Sequence, residues 1–499
     1  MKPNLAYRLL LPVCFWSVFL YCLLIFFTGV MTNKKGIENK RRTLYKSEQF
    51  KIKHKIVVHF IVFAILTILV GKSFFVQSDY LLLYLYGISV TFVLAINFYY
   101  AIFKYEDPAV IAKGKEEENI ENSIMPVKPL VSCMVAVFNE EEVIEQCVLS
   151  LVQQTYENKE IIFVNDGSTD GTAKVLDQYA EAGKIKVIHQ QNAGKKKALG
   201  RAMREAKGNI FAFSDSDSVW AVDAIEKIVP IFNVFPDVGG VSGHFRLKNS
   251  ATNLLTRAQD SWAEGQFAIR KAFESYFGAV TCVSGPLAVF RKEAIYNFIP
   301  AWEQDSFLGQ QFKFATDRTL TGFLLGNKWV GKKLKEKYAE EDCVKDVDYP
   351  LKEWKVVYSK SAKSWTILPD TLRRLVKQQV RWKKSFIRNT FFTGKFYWRK
   401  PILPSLVYYL HVLFVWFGPF IAFRHLIYLP MKGDMLSAVL YMAGIVFIGF
   451  MFGLAYKLEN KDCHIWIYRP VMSLLSTLVL SWLIFYSALT IRKMVWHRG

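Results

Sequence analysis

The 499-residue sequence predicts an α/β body built on parallel strands, set between two groups of membrane-spanning helices. Three observations carry this. Apolar stretches of roughly 20 residues, the length that crosses a bilayer, occur near both ends of the chain and not in its middle. In the middle, short apolar runs alternate with helix-like segments, as βαβ units do. The charge is lopsided, 64 Lys plus Arg against 43 Asp plus Glu for a formal +21, in a chain that is 52% hydrophobic. Basic excess beside so much apolar sequence points to loops at a membrane and away from a nucleic-acid partner. Seven cysteines, an odd number without paired spacing, exclude a disulfide framework and a zinc site.

The first region, residues 1–105, carries three expected spans, at 9–31, 56–76 and 80–103. The first is too long for a signal-peptide core and lacks a small-residue cleavage site, so it reads as retained. The loop "NKKGIENKRRTLYKSEQFKIKHK" lies in the cytoplasm by the positive-inside rule. The amino terminus is then outside, and the third span returns the chain to the cytoplasm near Lys104.

Residues 106–366 hold no spanning stretch and form the expected cytoplasmic body. It opens with a charged linker, "AKGKEEENIENS", expected to be exposed and mobile. The runs "LVSCMVAVF", "EIIFVND", "IKVIHQ" and "NIFAFSD" read as strands. Residues 141–153, 172–182 and 196–206 read as the helices between them. Residues 367–400 interleave apolar and aromatic residues with Lys and Arg, the composition of amphipathic helices lying in a membrane surface. A solvated basic helix is the alternative. Residues 401–499 return to the membrane, with spans at 403–428 and 436–456. A third apolar stretch at 470–490 would leave the basic end "IRKMVWHR" outside, so residues 463–490 are read as a broken or re-entrant pair.

Ligands of open α/β sheets bind outside the carboxyl ends of the strands. Those ends form a polar series. The first is Phe138-Asn139-Glu140, the second runs from Asn165 and Asp166 to Gly171, the third leads into "QQNAGKKKALGRAM", and the fourth is Asp215-Ser216-Asp217. Two carboxylates one residue apart raise each other's pKa unless a cation sits between them. Lys195 to Lys197 suit phosphates, and the carboxylates suit ribose hydroxyls and a hard divalent ion. The set describes a nucleotide diphosphate with Mg²⁺ or Mn²⁺. Neither GxGxxG nor GxxxxGK[ST] is present, which excludes a dinucleotide fingerprint and a P-loop.

"VFNEEEVIEQCVLSLVQQTYENKEIIFVNDGSTDGT" resembles the opening of inverting family 2 glycosyltransferases of the GT-A fold, an α/β body with a Rossmann-like mixed sheet. Three further motifs resemble the processive, membrane-embedded polymer synthases. "SYFGAVTCVSGPLAVFRKEAI" contains Ser284-Gly285-Pro286, "FLGQQFKFATDRTLTGFLL" contains Asp317-Arg318, and "KQQVRWKKSFIR" is a QxxRW motif of Gln378, Arg381 and Trp382. Among these synthases the chain is most similar to hyaluronan synthases, over roughly residues 129–392. It departs from them at two places. Ala315-Thr316-Asp317 stands where Gly-Asp-Asp or Gly-Glu-Asp is usual, and Trp496-His497-Arg498 stands where a Trp-Gly-Thr-type motif is usual.

The resemblance implies roles residue by residue. Phe138 and Asp166 would contact uracil and ribose, Lys195 the diphosphate region, Asp215 the nucleotide and Asp217, with Asp215, the metal. Asn139, Glu140, Ser284, Gly285 and Arg318 belong to the substrate site. Asp317 would be the general base. Gln378 and Arg381 would hold the diphosphate, and Trp382 would stack on the acceptor sugar. Cys282, beside the SGP motif, stands between a core thiol and an acceptor-pocket residue. Arg257, Arg270 and Lys271 read as a solvated face, with steering of an anionic polymer as the alternative, while Trp262, Trp302 and Trp329 are given no role. The implied function is an integral protein of the plasma (inner) membrane. Its cytoplasmic body polymerises UDP-sugars, and its own helices pass the growing polysaccharide through the bilayer. Hyaluronan from UDP-GlcNAc and UDP-GlcA is the first reading. Chitin or poly-β-GlcNAc, a single-transfer enzyme acting on a lipid carrier, and a transporter with an inactive transferase body are the rivals.

Overall fold

A computed structural model of the chain describes residues 81–121, 127–460 and 463–493. The expected spans at 9–31 and 56–76, the basic loop between them and Trp496-His497-Arg498 lie outside the described residues.

The four apolar runs are strands β1 (Val131–Val137), β2 (Lys159–Asp166), β3 (Lys186–Gln190) and β4 (Ile210–Ser214). β1 is buried along its whole length and β4 likewise, as strands covered on both faces must be. The helices between them are Ile144–Val152, Thr172–Glu181 and Lys195–Glu205. Six more strands follow: β5 (Val219–Trp220), β6 (Val238–Leu247), β7 (Ala288–Arg291), β8 (Ser306–Phe307), β9 (Gln310–Gln311) and β10 (Lys355–Thr366).

Eight strands form one mixed sheet in the order β3-β2-β1-β4-β7-β6-β10-β5. β3, β2, β1 and β4 are mutually parallel, while β7 runs antiparallel to both β4 and β6. The chain moves from β1 outward to β3 and then crosses to the other side of β1 for β4. That reversal opens a crevice beyond the carboxyl ends of β1 and β4, where such sheets bind ligands.

The segment expected as a mobile linker is instead the helix Pro108–Glu121, with Ala109 and Ala112 buried and Glu116 accepting a hydrogen bond from Asn233 at 2.8 Å. Its two buried alanines seat it against the helix Ala224–Val234. The basic segment after the body holds one long helix rather than several, Leu372–Thr393. It packs between the helices Thr316–Lys337 and Leu483–Leu489, and its buried face includes Gln378, Lys384, Arg388 and Asn389. The amphipathic pattern therefore turns part of its polar side inward, toward the site.

Among the described residues, three helices are long and apolar enough to cross a membrane: Leu85–Glu121, Ile402–Met431 and Met435–Lys457. Ile465–Leu478 and Leu480–Leu489 meet at a 44° bend, the broken pair expected from the charge rule.

Candidate active site

A cavity of about 810 Å³ opens at the ends of β1 and β4. Asn139, Glu140, Lys195, Asp215, Asp217, Cys282, Ser284, Gly285, Asp317, Arg318, Gln378, Arg381 and Trp382 line it. Thirteen residues read from six separate stretches of sequence thus meet around one space. Phe138 and Asp166 do not lie on its wall. Phe138 is 39% exposed, and the buried Asp166 carboxylate accepts the backbone N–H groups of Ala193 and Gly194, each at 2.8 Å. Asp166 thereby shapes the loop that delivers Lys195.

The helix Lys195–Glu205 begins at the cavity, and the Lys195 ammonium bonds the Asp215 carboxylate. Burial pulls the Lys195 pKa down, but Asp215, Asp317 and Asp217 outweigh it and the ammonium ends more basic than usual. Lys196 turns away from the cavity into the interior. Gly285 lies against Asp215: a Cβ there would sit 2.8 Å from Asp215 Oδ2. Asp217 accepts the Thr366 hydroxyl at 3.1 Å and the Ser218 hydroxyl at 3.3 Å. Burial, then Asp215, pushes its pKa up. A divalent cation between the two carboxylates would relieve that cost. Among the described residues no cluster of three His, Cys, Asp or Glu side chains could hold an ion alone. The pair fits a cation that takes its remaining oxygens from a bound diphosphate and water, as Mg²⁺ commonly does.

Asp317 lies in the first turn of the helix Thr316–Lys337. Ala315 before it adopts a left-handed backbone, φ 62°, and Trp302 donates its indole N–H to the Thr316 carbonyl at 2.8 Å. The Cys282 thiol lies 3.6 Å from Asp317 Oδ2, and burial pushes its pKa up to about 11. It stays a thiol and donates to the carboxylate. Arg318 is half-buried beside both; burial pulls its pKa down, yet the Asp317 carboxylate helps to outweigh this and the guanidinium stays charged.

On the facing helix, burial lowers the Arg381 pKa while Asp215 draws it back up. The Gln378 amide oxygen is buried without a hydrogen-bond partner. Trp382 stacks on Trp262, ring centres 6.0 Å apart and planes 21° apart. Trp262 was given no role from sequence, since nothing local separates it from a core tryptophan. Lys271 is a correction: it faces the cavity, not solvent, and donates to the Ser284 hydroxyl at 2.5 Å and the Ser242 hydroxyl at 2.8 Å. Arg270 also lines the cavity and reaches His411 Nε2 at 2.9 Å, on the helix Ile402–Phe423. A sequence pattern of charge alone could not separate these two from a solvated face.

Residues 132–298 match the family model described as glycosyl transferase family 2. Hyaluronan synthase of Streptococcus pyogenes is 25% identical over 375 residues, 73% of this chain and 82% of that protein. An N-acetylglucosaminyltransferase of Azorhizobium caulinodans is 30% identical over 276 residues, 54% of this chain and 63% of that protein. Among solved structures, the mannosyltransferase PcManGT from Pyrobaculum calidifontis, in complex with GDP-Man and Mn²⁺, superposes with a TM-score of 0.48 at 19% identity, covering 83% of this chain and all of that one.

Proposed function

The chain is a glycosyltransferase carrying a family 2 domain at residues 132–298, and from that premise we propose that it polymerises UDP-sugars and exports the product through its own helices. The observation that carries this reading is the convergence of Asp215, Asp217, Asp317 and Arg381 on one cavity whose wall includes a tryptophan pair. A transporter with an inactive body has no need to keep that set together.

Asp215 and Asp217 would hold Mg²⁺ or Mn²⁺, which supplies charge neutralisation to the donor diphosphate. Asp317 takes the proton from the acceptor hydroxyl as that oxygen attacks the anomeric carbon from the face opposite the departing UDP, so the configuration inverts. Arg381 and Lys195 bring positive charge to the leaving diphosphate. The flat apolar faces of Trp382 and Trp262 suit a pyranose ring. Cys282 and Arg318 flank the base and orient its carboxylate. The body would stand on the cytoplasmic side of the plasma (inner) membrane, where UDP-sugars are made, and deliver the polymer to the helices Ile402–Met431 and Met435–Lys457.

Hyaluronan, from UDP-GlcNAc and UDP-GlcA, is the favoured product. The similarity to hyaluronan synthase over 82% of that protein supports it, as does the basic wall of Lys271, Arg270 and Arg318. A homopolymer of β-linked GlcNAc is the second reading, favoured by the 30% identity to an N-acetylglucosaminyltransferase. Purified protein incubated with Mn²⁺ and each UDP-sugar, singly and in pairs, separates them. Polymer only from the UDP-GlcNAc and UDP-GlcA pair, cleaved by hyaluronidase, supports the first; polymer from UDP-GlcNAc alone supports the second. One sugar added per lipid carrier overturns both.

A further inference from the structure

Three parts of the site reach the cavity from distant stretches of chain: Lys195 from one helix, Arg381 from another, and Asp317 from the segment between. One buried carboxylate, carried by the segment that leads to Asp317, bonds the other two. Asp305 Oδ2 accepts from Lys196 Nζ at 3.0 Å, and its Oδ1 accepts from Arg388 Nη2. The three side chains are 3%, 7% and 5% exposed for Asp305, Lys196 and Arg388, so this is an interior cluster and not a surface pair.

Each partner is rigidly related to a cavity residue. Lys196 is the chain neighbour of Lys195 in the first turn of the helix Lys195–Glu205. Its ammonium also donates to the Phe312 carbonyl at 2.8 Å. Arg388 lies seven positions after Arg381 on the helix Leu372–Thr393, about two turns, and therefore on the same face. The Asp305 backbone carbonyl accepts the Phe312 N–H at 2.7 Å, closing the β8–β9 hairpin. That hairpin leads directly to Ala315 and Asp317.

We propose that Asp305 is a positioning residue that sets the spacing between Lys195 and Arg381, and so the site's selectivity for a diphosphate over a monophosphate. The proposal rests on the UDP-sugar reading. Two cations share one carboxylate in a water-poor interior, so the geometry tolerates little slack: breaking a buried pair leaves an uncompensated charge that drives its segment to move. Lys195 and Arg381 approach the diphosphate from two helices with no covalent link nearer than the intervening body. A change in their spacing weakens the grip on the two phosphates together. It leaves the side of the crevice beyond β1, where Asn139 and Glu140 lie, as it was.

The test uses the full-length chain in detergent with Mn²⁺, titrated calorimetrically with UDP and, separately, UMP. Asp305→Asn keeps the shape and removes the charge. The expected result is UDP affinity lower by about tenfold with UMP affinity unchanged, since small misplacements are costly at such sites. If Asp305→Asn does not fold, Arg388→Lys keeps the charge, breaks the planar contact and reads the same ratio. UDP and UMP affinities that fall together, or a ratio that stays at the wild-type value, overturn the proposal and leave the donor reading intact. A wild-type protein that binds no UDP overturns the donor reading and this proposal with it.

Discussion

The indole of Trp262 lies nearly parallel to that of Trp382, with 6.0 Å between ring centres and 21° between planes. The two arrive from the helices Leu254–Gly265 and Leu372–Thr393, more than a hundred residues apart, and both face the cavity. Offset aromatic pairs contribute about 0.5–1.5 kcal/mol beyond their buried area, so each ring fixes the other. Trp262→Ala should therefore release Trp382 and shorten the product, while UDP affinity changes by less than about twofold, well under 1.4 kcal/mol. Product length by gel electrophoresis and UDP titration together check this. Normal polymer length in Trp262→Ala removes the pair from elongation.

A backbone detail at the base makes a second prediction. Ala315 holds φ at 62°, a left-handed conformation that costs a residue with a Cβ roughly 1–2 kcal/mol. Glycine reaches the same conformation freely. Ala315→Gly should raise stability by up to about 1 kcal/mol, because the relieved strain exceeds the extra freedom of the unfolded chain. Thermal unfolding in detergent reads the shift, and a lowered midpoint contradicts it. Polymer synthesis should persist.

The parallel half of the sheet was legible because its signals are local. β1 to β4 are short apolar runs, each closed by polar residues, and the helices between them match the expected ones to within a few positions. The other half was not. β6 contains three glycines, which weaken any local strand signal, yet Gly243 is there because a Cβ would meet the Leu287 side chain at 2.3 Å. The site divides the same way. Motif residues at strand ends and helix starts were found. The resemblance implies a nucleoside contact for Asp166, and no local pattern reveals that its carboxylate also accepts backbone N–H groups 27 and 28 residues downstream. The Thr366 hydroxyl on Asp217 spans 149 residues of sequence, and no spacing rule reaches that far.

Gly285 allows Asp215 its place. An added methyl would stand 2.8 Å from Oδ2 and 3.1 Å from Oδ1, so the carboxylate must swing aside in Gly285→Ala. A side-chain end moves cheaply, and the fold should lose less than about 1 kcal/mol. The functional cost should be larger, because Asp215 leaves both Lys195 and the shared cation position. Polymer synthesis should fall by about tenfold, a 1.4 kcal/mol effect, and saturate only at higher Mn²⁺. Titrating activity against Mn²⁺ checks it. An unchanged half-saturating concentration would show that Asp215 holds no metal.

Lys271 gives the protein a pH dependence of definite sign. Burial lowers its pKa to about 8, although Cys282, Glu274 and Asp317 pull the other way, while Arg318 adds to the depression. The unfolded chain restores a lysine near 10.4. Between about 8 and 10.4 the unfolded state therefore binds more protons than the native state, and stability gained from this group rises with pH across that window. Below 8 the full cost of a buried charge is present. Lys271→Met removes the charge and keeps the length. The unfolding midpoint of Lys271→Met relative to wild type should thus be highest at pH 7 and decline steadily toward pH 10. Activity should move the opposite way. Wild-type KM for the donor rises above pH 8, as the cavity loses a positive charge facing Ser284, and Lys271→Met shows no such rise. A midpoint difference that is flat from pH 7 to pH 10 would place the Lys271 charge in water, as a solvated face would have it, and would detach it from the cavity altogether.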